Sequence, residues 1–408
     1  MKILQINSDY DYGSTGKITA NLHRFLESQG IGSYVCYGRK NNVVENNTFP
    51  VISPLLSKLE HLLSNVLGDP YGLCLLSTTR VKKTIMQIQP DIIHIQCING
   101  YFVNIYKLLK WLAKKKFKVV VTLHAEFMYT GGCDHAYDCA KWKVKCVKCP
   151  QKDSKSPLRR LKSSSIFNKF LNSFSRFDSN NILFVSVSKW LMERAKSSAI
   201  LNNFTHSFIL NGVNTNVFNF SPNTKTYCIK GIDVSDYILF VTAMFRVDCV
   251  DNKGGSWVME LAKRMNKAGM TNKIVVVSSY NSIKRNLPDN INFMGKIANQ
   301  NELASIYRNA SVTVITSKRE TYGLTVAESM CCGTPVVGFK CGGPESFAND
   351  KYSEFVSYGD IDALFDSVCK FLKKRFDNKM ISAESISLLS SDVCCQKYLN
   401  IYKELANN

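Results

Sequence analysis

The most informative stretch of the sequence is 311–330, Ser311-Val-Thr-Val-Ile-Thr-Ser-Lys-Arg-Glu320-Thr-Tyr-Gly-Leu-Thr-Val-Ala-Glu328-Ser-Met330. Its β-branched start predicts a short strand, and the apolar residues from Leu324 onward recur at helical spacing. A tight turn from strand to helix points backbone N–H groups outward, which suits a phosphate. Glu320 and Glu328 would repel a phosphate, so we expect them to bind something else, and sugar hydroxyls are the obvious candidates.

Length and composition restrict the class of protein. The 408 residues suit two domains, and 45% hydrophobic with 21% charged residues is typical of a soluble globular protein. No apolar run approaches the roughly 18 residues of a membrane-spanning helix, and the N-terminus turns polar too early for a signal peptide. Fifteen cysteines without an export signal predict a cytoplasmic protein with reduced thiols.

The net charge of +20 is concentrated in the first half of the chain. Residues 1–215 carry 29 Lys+Arg against 13 Asp+Glu, whereas residues 216–408 carry 23 against 19. Such an excess predicts an anionic partner, either a membrane surface or a nucleic acid. General solubility is the alternative that charge alone leaves open.

Short apolar strand patterns alternate with helical patterns in both halves, which predicts two doubly wound α/β domains with parallel sheets covered on both faces. The turn-rich segment 211–218 separates the halves, and ligands of such sheets bind beyond the carboxyl ends of the strands. The predicted strands are 2–7, 33–37, 91–95, 118–123, 182–187 and 206–210 in the first half, and 237–242, 273–277, 291–293, 312–315 and 335–339 in the second.

A glycine-rich loop follows the first predicted strand. It reads Asp9-Tyr-Asp-Tyr-Gly13-Ser14-Thr-Gly16-Lys17 and leads into a helix. Such a loop lets a pyrophosphate approach the backbone closely. It is neither the dinucleotide G-x-G-x-x-G pattern nor a Walker loop, and an ordinary helix-capping loop is the alternative.

Two cations and a histidine also stand near predicted strand ends. Arg246 and Lys253 follow strand 237–242, where two cations would neutralise a pyrophosphate leaving group; solvated surface cations are the alternative. His124 closes strand 118–123 and therefore falls in the ligand region, although a lone histidine is more often a structural hydrogen-bonding group.

A cysteine-rich segment lies beyond His124. Cys133, Cys139, Cys146 and Cys149 are spaced C-x5-C-x6-C-x2-C. The final C-x2-C has metal-ligand spacing, and four thiolates would suit a structural zinc. The first pair is spaced too widely for a standard zinc knuckle, so reduced and packed cysteines remain the alternative.

Two stretches combine apolar residues with lysine or arginine at helical spacing. For the helix at 106–116 we predict packing on the sheet with the lysines turned to solvent. For 157–176 the aromatic and basic pattern favours contact with a membrane surface, and packing on the sheet is again the alternative.

Together these motifs closely resemble the retaining glycosyltransferases of family 4, which have the GT-B fold and use nucleotide-diphospho-sugars. The resemblance covers almost the whole chain. The motifs that carry it are Glu320-x7-Glu328, Arg246 with Lys253, Gly13-Ser14, His124 and the linker Asn211-Gly-Val-Asn214. The stretch from Thr122 to Gln151 is similar to a subgroup linked to capsular and exopolysaccharide assembly.

The resemblance implies an acceptor-side domain at 1–213, a nucleotide-sugar-binding domain at 214–390 and a helix at 391–408 that packs back on the first domain. It also implies a role for each site residue. Glu328 would hold the ribose, Glu320 the donor sugar, and Arg246 with Lys253 the diphosphate. The amides of Gly323, Leu324 and Thr325 and the loop of Gly13, Ser14 and Gly16 would approach the sugar or diphosphate, and His124 would lie near the sugar or acceptor.

Two departures from the family pattern bear on those roles. The interval from Arg246 to Lys253 is one residue longer than usual, which puts the phosphate contact of Lys253 in doubt. The family commonly has an acidic residue directly after the histidine, whereas this chain has Ala125 there and Glu126 one position later.

The chemistry expected is sugar transfer with retention of configuration. A glycosidase needs a carboxylic acid to protonate a poor leaving group, whereas a nucleoside diphosphate already leaves readily, so cations suffice. No metal is expected in catalysis because no clear Asp-x-Asp motif stands at a strand end. We expect a UDP- or GDP-sugar donor and a lipid-linked or oligosaccharide acceptor in bacterial surface polysaccharide assembly, at the inner face of the membrane and without a nucleic-acid partner.

Two other classes of protein stay open at this point. A nucleotide-sugar 2-epimerase would share the fold and would turn over the donor without an acceptor. A basic nucleic-acid-binding protein with a zinc module would show salt-dependent binding, but it leaves Glu320 and Glu328 without a role.

Overall fold

The computed structural model describes residues 1–39, 45–151, 157–221, 237–247, 252–279 and 287–407. The chain divides into two compact units. The first comprises Met1–Leu210 and Cys394–Asn408, and the second comprises Asn211–Val393. Each is a doubly wound α/β unit with a parallel sheet, so the predicted fold class is confirmed.

The first unit is built on a parallel sheet whose strand order is β3-β2-β1-β4-β5-β6-β7. The order reverses between β1 and β4, and such a reversal marks the point where ligands of these sheets bind. The strands are β1 (Lys2–Asn7), β2 (Gly32–Arg39), β3 (Thr48–Ile52), β4 (Ile92–Ile95), β5 (Lys118–Leu123), β6 (Ile182–Ser186) and β7 (Thr205–Phe208).

The helices of the first unit cover both faces of this sheet. They are α1 (Gly13–Ser28), α2 (Pro54–Leu67), α3 (Leu75–Ile88), α4 (Ile105–Lys114), α5 (Pro157–Leu161), α6 (Ser163–Phe174) and α7 (Lys189–Lys196). Single 3-10 turns lie at Phe127–Tyr129, Lys141–Lys143 and Ser179–Asn181.

Two of these helices test the amphipathic predictions. Helix α4 buries Leu108, Leu109 and Leu112 and exposes Lys107 and Lys114, so the helix with a solvated lysine face predicted at 106–116 is confirmed. Helix α6 buries Phe167 and Phe170, and the Phe170 ring packs edge-on against Tyr106 of α4. The prediction of membrane contact is therefore wrong for α6, because its apolar face is a core face.

The second unit repeats the plan with the order β10-β9-β8-β11-β12-β13, also parallel throughout. The reversal lies between β8 and β11. The strands are β8 (Tyr237–Thr242), β9 (Lys273–Ser278), β10 (Ile291–Gly295), β11 (Val312–Ile315), β12 (Val336–Phe339) and β13 (Ser353–Val356). The helices are α8 (Gly255–Lys267), α9 (Gln300–Asn309), α10 (Leu324–Cys331), α11 (Ile361–Lys373) and α12 (Asn378–Leu389), with a 3-10 turn at Pro344–Ser346.

The last helix, α13 (Ser391–Asn407), carries the chain from the second unit to the first. Its Tyr398, Leu399 and Tyr402 are buried in the core of the first unit beside Ile3 and Leu22. The Tyr402 hydroxyl lies 2.6 Å from Nδ1 of His94, a buried residue of β4. This helix is therefore an integral part of the first core. In the part of the chain described above, no helix is long and apolar enough to cross a membrane.

Candidate functional site

The turn from β11 to α10 places Glu320 beyond the carboxyl end of a strand at the reversal point of the second sheet. Its backbone pairs with a neighbouring loop: the Glu320 N–H donates to the Cys341 carbonyl at 2.9 Å, and the Gly343 N–H donates to the Glu320 carbonyl at 2.9 Å. The position of Glu320 is thus fixed by main-chain bonds. Its side chain is 14% exposed.

Gly323 starts α10 and has to be glycine. Its φ is +91°, and a Cβ there would stand 2.6 Å from Cγ of Pro344. The first N–H groups of a helix have no partner within the helix. At Leu324 and Thr325 they form the positive end of α10, which favours an anion.

The turn from β8 to α8 is built in the same way. Gly254 caps α8 with a φ of +71°, and a Cβ there would overlap the Thr316 carbonyl oxygen. A Cβ on Gly255 would overlap the carbonyl oxygen of Arg246. The start of α8 therefore packs directly on the chain that follows β8 and on the chain that follows β11.

Hydrogen bonds lock these two turns together. The Thr316 hydroxyl lies within donating distance of two carbonyl oxygens, 3.0 Å from that of Lys253 and 2.8 Å from that of Gly254. The Lys318 N–H donates to the Asn252 carbonyl at 2.7 Å. Because β8 and β11 are neighbours in the sheet, residues 67 positions apart in the sequence meet here.

Lys253 and Glu320 form an ion pair at this junction. Nζ of Lys253 lies 2.6 Å from Oε1 of Glu320. The Lys253 side chain is 38% exposed, so an anionic ligand can reach it. A diphosphate that takes the ammonium group would release the carboxylate to accept hydrogen bonds from hydroxyl groups. Sequence reasoning selected both residues but not their contact.

Arg246 lies half-buried on the same side of the sheet, with its backbone against Gly255. Residues 248–251, inside the unusually long interval between Arg246 and Lys253, lie outside the described part of the chain. The interval does not carry Lys253 away from Glu320.

Glu328 lies on α10 and is held by Tyr307. The Tyr307 hydroxyl donates to Oε2 of Glu328 at 3.2 Å. Burial, and secondarily the negative charge of Glu328, raise the pKa of Tyr307 well above its ordinary value. The hydroxyl therefore stays protonated and keeps donating, which fixes one oxygen of Glu328.

Glu345 is a site-forming residue that the sequence analysis missed. The Gly342 N–H donates to both of its carboxylate oxygens, at 3.0 and 2.8 Å. This pair of bonds fixes the loop that in turn fixes Glu320. The run Gly342-Gly343-Pro344-Glu345, which is separated from the end of β12 by two residues, was the signal that could have identified it.

In the first unit, the glycine-rich loop joins β1 to α1. Gly13 is the first residue of α1 with a φ of +65°, and Gly13 and Ser14 are exposed. Gly16 is buried, and a Cβ there would stand 3.2 Å from Cβ of Asp9. Gly16 therefore closes the loop, and Gly13 and Ser14 offer the backbone that a ligand could approach.

His124 follows β5 and is half-buried. Its Nε2 lies 2.9 Å from Oε1 of Gln96, and Nε2 of Gln96 donates to Oε1 of Gln5 at 3.2 Å. Since the Gln96 oxygen can only accept, this network assigns the proton of His124 to Nε2 and its lone pair to Nδ1. Burial lowers the pKa of His124 to about 4, so the ring is neutral near pH 7.

Glu126, the acidic residue displaced from the family position, serves the fold. It is completely buried, and its Oε1 accepts from Nε of Arg194 at 2.6 Å and from the Tyr129 hydroxyl at 3.0 Å. Its Oε2 accepts from the Ala136 N–H at 2.6 Å. These contacts place Glu126 away from ligand chemistry.

The four cysteines proposed as zinc ligands do not converge. Of the residues that the structure describes, no three of their sulfur atoms lie within 4.8 Å of one another. Sγ of Cys146 instead accepts from the Gly131 N–H at 3.1 Å. The segment is organised around the buried Trp142, whose ring packs against Tyr129 and lies under the guanidinium of Arg194. This arrangement does not fit a four-thiolate zinc site.

Part of the second unit matches a known protein family. Residues 235–374 match the family described as “Glycosyl transferases group 1”. The match makes up most of the second unit and includes Arg246, Lys253, Glu320 and Glu328. These four residues thus lie in the segment that matches this family.

Solved structures show the same fold over the whole chain. Sucrose-phosphate synthase from Thermosynechococcus elongatus superposes with a TM-score of 0.70 at 15% identity and 99% coverage of both chains. Anabaena HepE in complex with UDP and glucose gives 0.62 at 14% identity, covering 99% of this chain and 100% of that one. The two units therefore have the GT-B fold.

Curated relatives match part of the chain. The putative colanic acid biosynthesis glycosyl transferase WcaC of Escherichia coli (strain K12) is 26% identical over 173 residues, which is 39% of this chain and 42% of that protein. The probable sucrose-phosphate synthase of Thermosipho melanesiensis is 27% identical over 209 residues, 47% and 46% of the two chains. The chain thus spans less than half the length of these two relatives.

Proposed function

We propose that this protein is a retaining glycosyltransferase of family 4 that moves a sugar from a nucleotide-diphospho-sugar to an acceptor hydroxyl. The observation that carries the proposal is the Lys253–Glu320 ion pair at the reversal point of the second sheet, between two glycine-capped helix N-termini. It combines a cation for the diphosphate with a carboxylate for sugar hydroxyls.

In the proposed reaction, the donor diphosphate forms an ion pair with the ammonium group of Lys253, which thereby leaves Glu320. Lys253, Arg246 and the first amides of α10 stabilise the negative charge that develops on the leaving oxygen. The bond from the anomeric carbon to the β-phosphate oxygen breaks through an oxocarbenium-like state. The acceptor oxygen bonds to the anomeric carbon on the same face, and its proton passes to the departing diphosphate.

Each remaining residue has a supporting task in this proposal. Glu320, released from Lys253, accepts hydrogen bonds from sugar hydroxyls. Glu328, oriented by Tyr307, accepts from the ribose hydroxyls. The family resemblance assigns His124 to the sugar or acceptor and the Gly13-Ser14 backbone to the diphosphate, and we adopt both roles in the proposal. No step in this scheme needs a metal ion.

The ligands of similar solved structures and the name of one relative bear on which substrates the protein uses. HepE was solved with UDP and glucose, and the catalytic domain of starch synthase IV from Arabidopsis thaliana with ADP and acarbose, which supports a nucleotide-sugar donor. We propose a UDP- or GDP-sugar. WcaC is named for colanic acid biosynthesis, which supports a role in polysaccharide assembly. We further propose a lipid-linked or oligosaccharide acceptor and action at the cytoplasmic face of an anionic membrane.

A direct test is transfer from UDP- and GDP-sugars to lipid-linked saccharide acceptors, with the configuration of the product read by NMR. We expect an acceptor-dependent product with the anomeric configuration of the donor, at the same rate in EDTA. Glu320→Gln should lower kcat/KM by roughly 100-fold or more, in the range of losing one preorganised stabilising group. The matched control is Glu354→Gln, which breaks another Lys–Glu pair of the second unit, Lys370–Glu354 at 2.8 Å, and should leave the rate unchanged. Inversion, or conversion of the donor alone to its 2-epimer, would overturn the proposal.

A further inference from the structure

Helix α2 has the reverse of the arrangement expected for a surface helix. All but one of its large apolar side chains face solvent, whereas the buried positions among its described side chains are Ser57 and Ser64. A surface helix ordinarily buries its apolar stripe and exposes its polar one. The exposed residues are Leu55, Leu59, Leu62, Leu63, Val66 and Leu67, between 44% and 80% exposed.

The neighbouring helices extend this apolar surface. On α5, Leu158 and Leu161 are exposed, and the C-cap of α2 packs so closely on α5 that a Cβ at Gly68 would stand 2.9 Å from the Leu158 carbonyl. At the start of α3, Leu75 and Leu76 are exposed. We call the exposed residues of α2 together with Leu158, Leu161, Leu75 and Leu76 the leucine face. A contiguous apolar surface of this kind is typical of an interaction site.

Polar anchors hold the leucine face on the body of the unit. Just after α2, Asp69 accepts from Nζ of Lys169 at 2.5 Å and from the Tyr106 hydroxyl at 3.2 Å. The Cys74 N–H before α3 donates to Glu60 of α2 at 3.3 Å. The face is thus a fixed part of the fold and not a loose segment.

Cations border the leucine face. Lys58 on α2 and Lys162 directly after α5 are exposed. Arg159 of α5 points inward instead, because its Nη2 donates to the Tyr71 hydroxyl at 2.9 Å and to the Gly132 carbonyl at 3.1 Å. Exposed lysines beside exposed leucines form the pattern that binds the interface of an anionic membrane.

Charge also indicates whether a membrane or a second copy of the chain is the partner of the leucine face. The segments that carry the leucine face, 54–67, 75–88 and 157–162, contain seven lysine and arginine residues against one acidic residue, Glu60, so two copies of this face brought together would repel each other. An anionic lipid surface attracts the same charge. Lipid is therefore the partner that satisfies both the leucines and the lysines.

We propose that the leucine face is a membrane-docking surface, with α2 lying in the interface of a bilayer that contains anionic glycerophospholipid. Its leucines enter the boundary between headgroups and acyl chains, and Lys58 and Lys162 contact lipid phosphates. This inference deepens the membrane placement in the proposed function and rests on that part of it. It keeps the α5 part of the stretch 157–176, removes α6 from the membrane contact, and adds α2 and α3.

The test is binding of the full chain to vesicles without any sugar substrate, so it can fail while the transferase proposal holds, and the reverse. Vesicles of phosphatidylcholine with phosphatidylglycerol are compared with pure phosphatidylcholine by co-sedimentation. Leu59→Gln/Leu62→Gln should lower the partition coefficient roughly tenfold per leucine. The matched control Met380→Gln/Leu388→Gln changes two apolar residues of α12, 41% and 40% exposed, and should bind like wild type.

A second arm tests the lysines. Lys58→Gln/Lys162→Gln should lower binding to the anionic vesicles about fivefold per lysine and leave binding to pure phosphatidylcholine unchanged. All variants alter exposed side chains, so their melting temperatures should equal that of wild type. The proposal is overturned if wild type does not bind anionic vesicles or if the leucine variant binds them like wild type. It is also overturned if light scattering shows a wild-type dimer that the leucine variant dissociates.

Discussion

Gly254 is the residue at which a single methyl group should separate the two turns of the proposed donor site. In Gly254→Ala the new Cβ meets the Thr316 carbonyl oxygen, a backbone atom that cannot rotate away. The left-handed backbone at φ +71° adds about 1–2 kcal/mol for a residue with a Cβ, and forced overpacking adds about 1–3 kcal/mol. We therefore expect unfolding to become easier by about 2–5 kcal/mol.

Gly269 supplies the matched control. It has nearly the same φ, +70°, but a Cβ there would meet nothing within 4 Å. Gly269→Ala should lose only the backbone part, about 1–2 kcal/mol. Any effect of alanine on the unfolded chain is common to both variants, so the difference between them isolates the steric part.

The assay is equilibrium urea unfolding of both variants in the full chain, followed by circular dichroism, together with kcat/KM for the donor. The clash should also move Lys253 away from Glu320, so kcat/KM should fall in Gly254→Ala and stay unchanged in Gly269→Ala. If the two variants unfold within about 0.5 kcal/mol of each other, which is the usual limit of additivity, the close approach of the two turns is refuted.

Three further predictions concern Glu328, the buried histidines and the cysteine-rich segment. Tyr307→Phe removes the donor that orients Glu328, so the KM for the donor should rise several-fold while the melting temperature changes little; an unchanged KM would deny Glu328 its ribose role. Burial lowers the pKa of His94 to about 3 and of His124 to about 4, so the unfolded chain binds more protons than the folded one below their ordinary value near 6.5. The free energy of unfolding should therefore fall as the pH drops from 6.5 to about 4 and stay level from 7 to 8. Urea titrations at each pH measure it, and a free energy that stays constant between pH 6.5 and 4 would contradict the prediction. Cys149→Ser should leave the melting temperature unchanged. Wild-type protein purified with added zinc should contain much less than one zinc ion per chain by mass spectrometry. One zinc ion per chain in wild type, and none in the variant, would support the zinc site and contradict this prediction.

The central strands could be predicted because a strand buried on both faces has a continuous run of apolar residues. The structure has β1, β5, β8 and β11 at the predicted bounds, since continuous β-branched and aliphatic runs are typical of central parallel strands. The edge strand β3 was missed. It contains Pro50 and is only partly buried, and proline within a run argues against a strand except at an edge.

The site was only partly readable for a different reason. Its residue types and glycines could be selected from local motifs, but the Lys253–Glu320 contact depends on β8 and β11 being neighbours, and strand order is not written in a local pattern. The α6 prediction failed on the same kind of information. An amphipathic sequence shows that one face is apolar, but not whether protein or lipid covers it.

The measurement that tests the central claim most directly is calorimetric binding of UDP and GDP to wild type, to Lys253→Gln and to the control Lys370→Gln, a change at the exposed ion pair with Glu354. A hydrogen bond to a charged group contributes about 1.5–3 kcal/mol. We therefore expect one of the two nucleotides to bind wild type and the Lys370 variant equally, and to bind Lys253→Gln about 10- to 100-fold more weakly. Binding of neither nucleotide, or equal binding to all three proteins, would contradict a diphosphate site at Lys253.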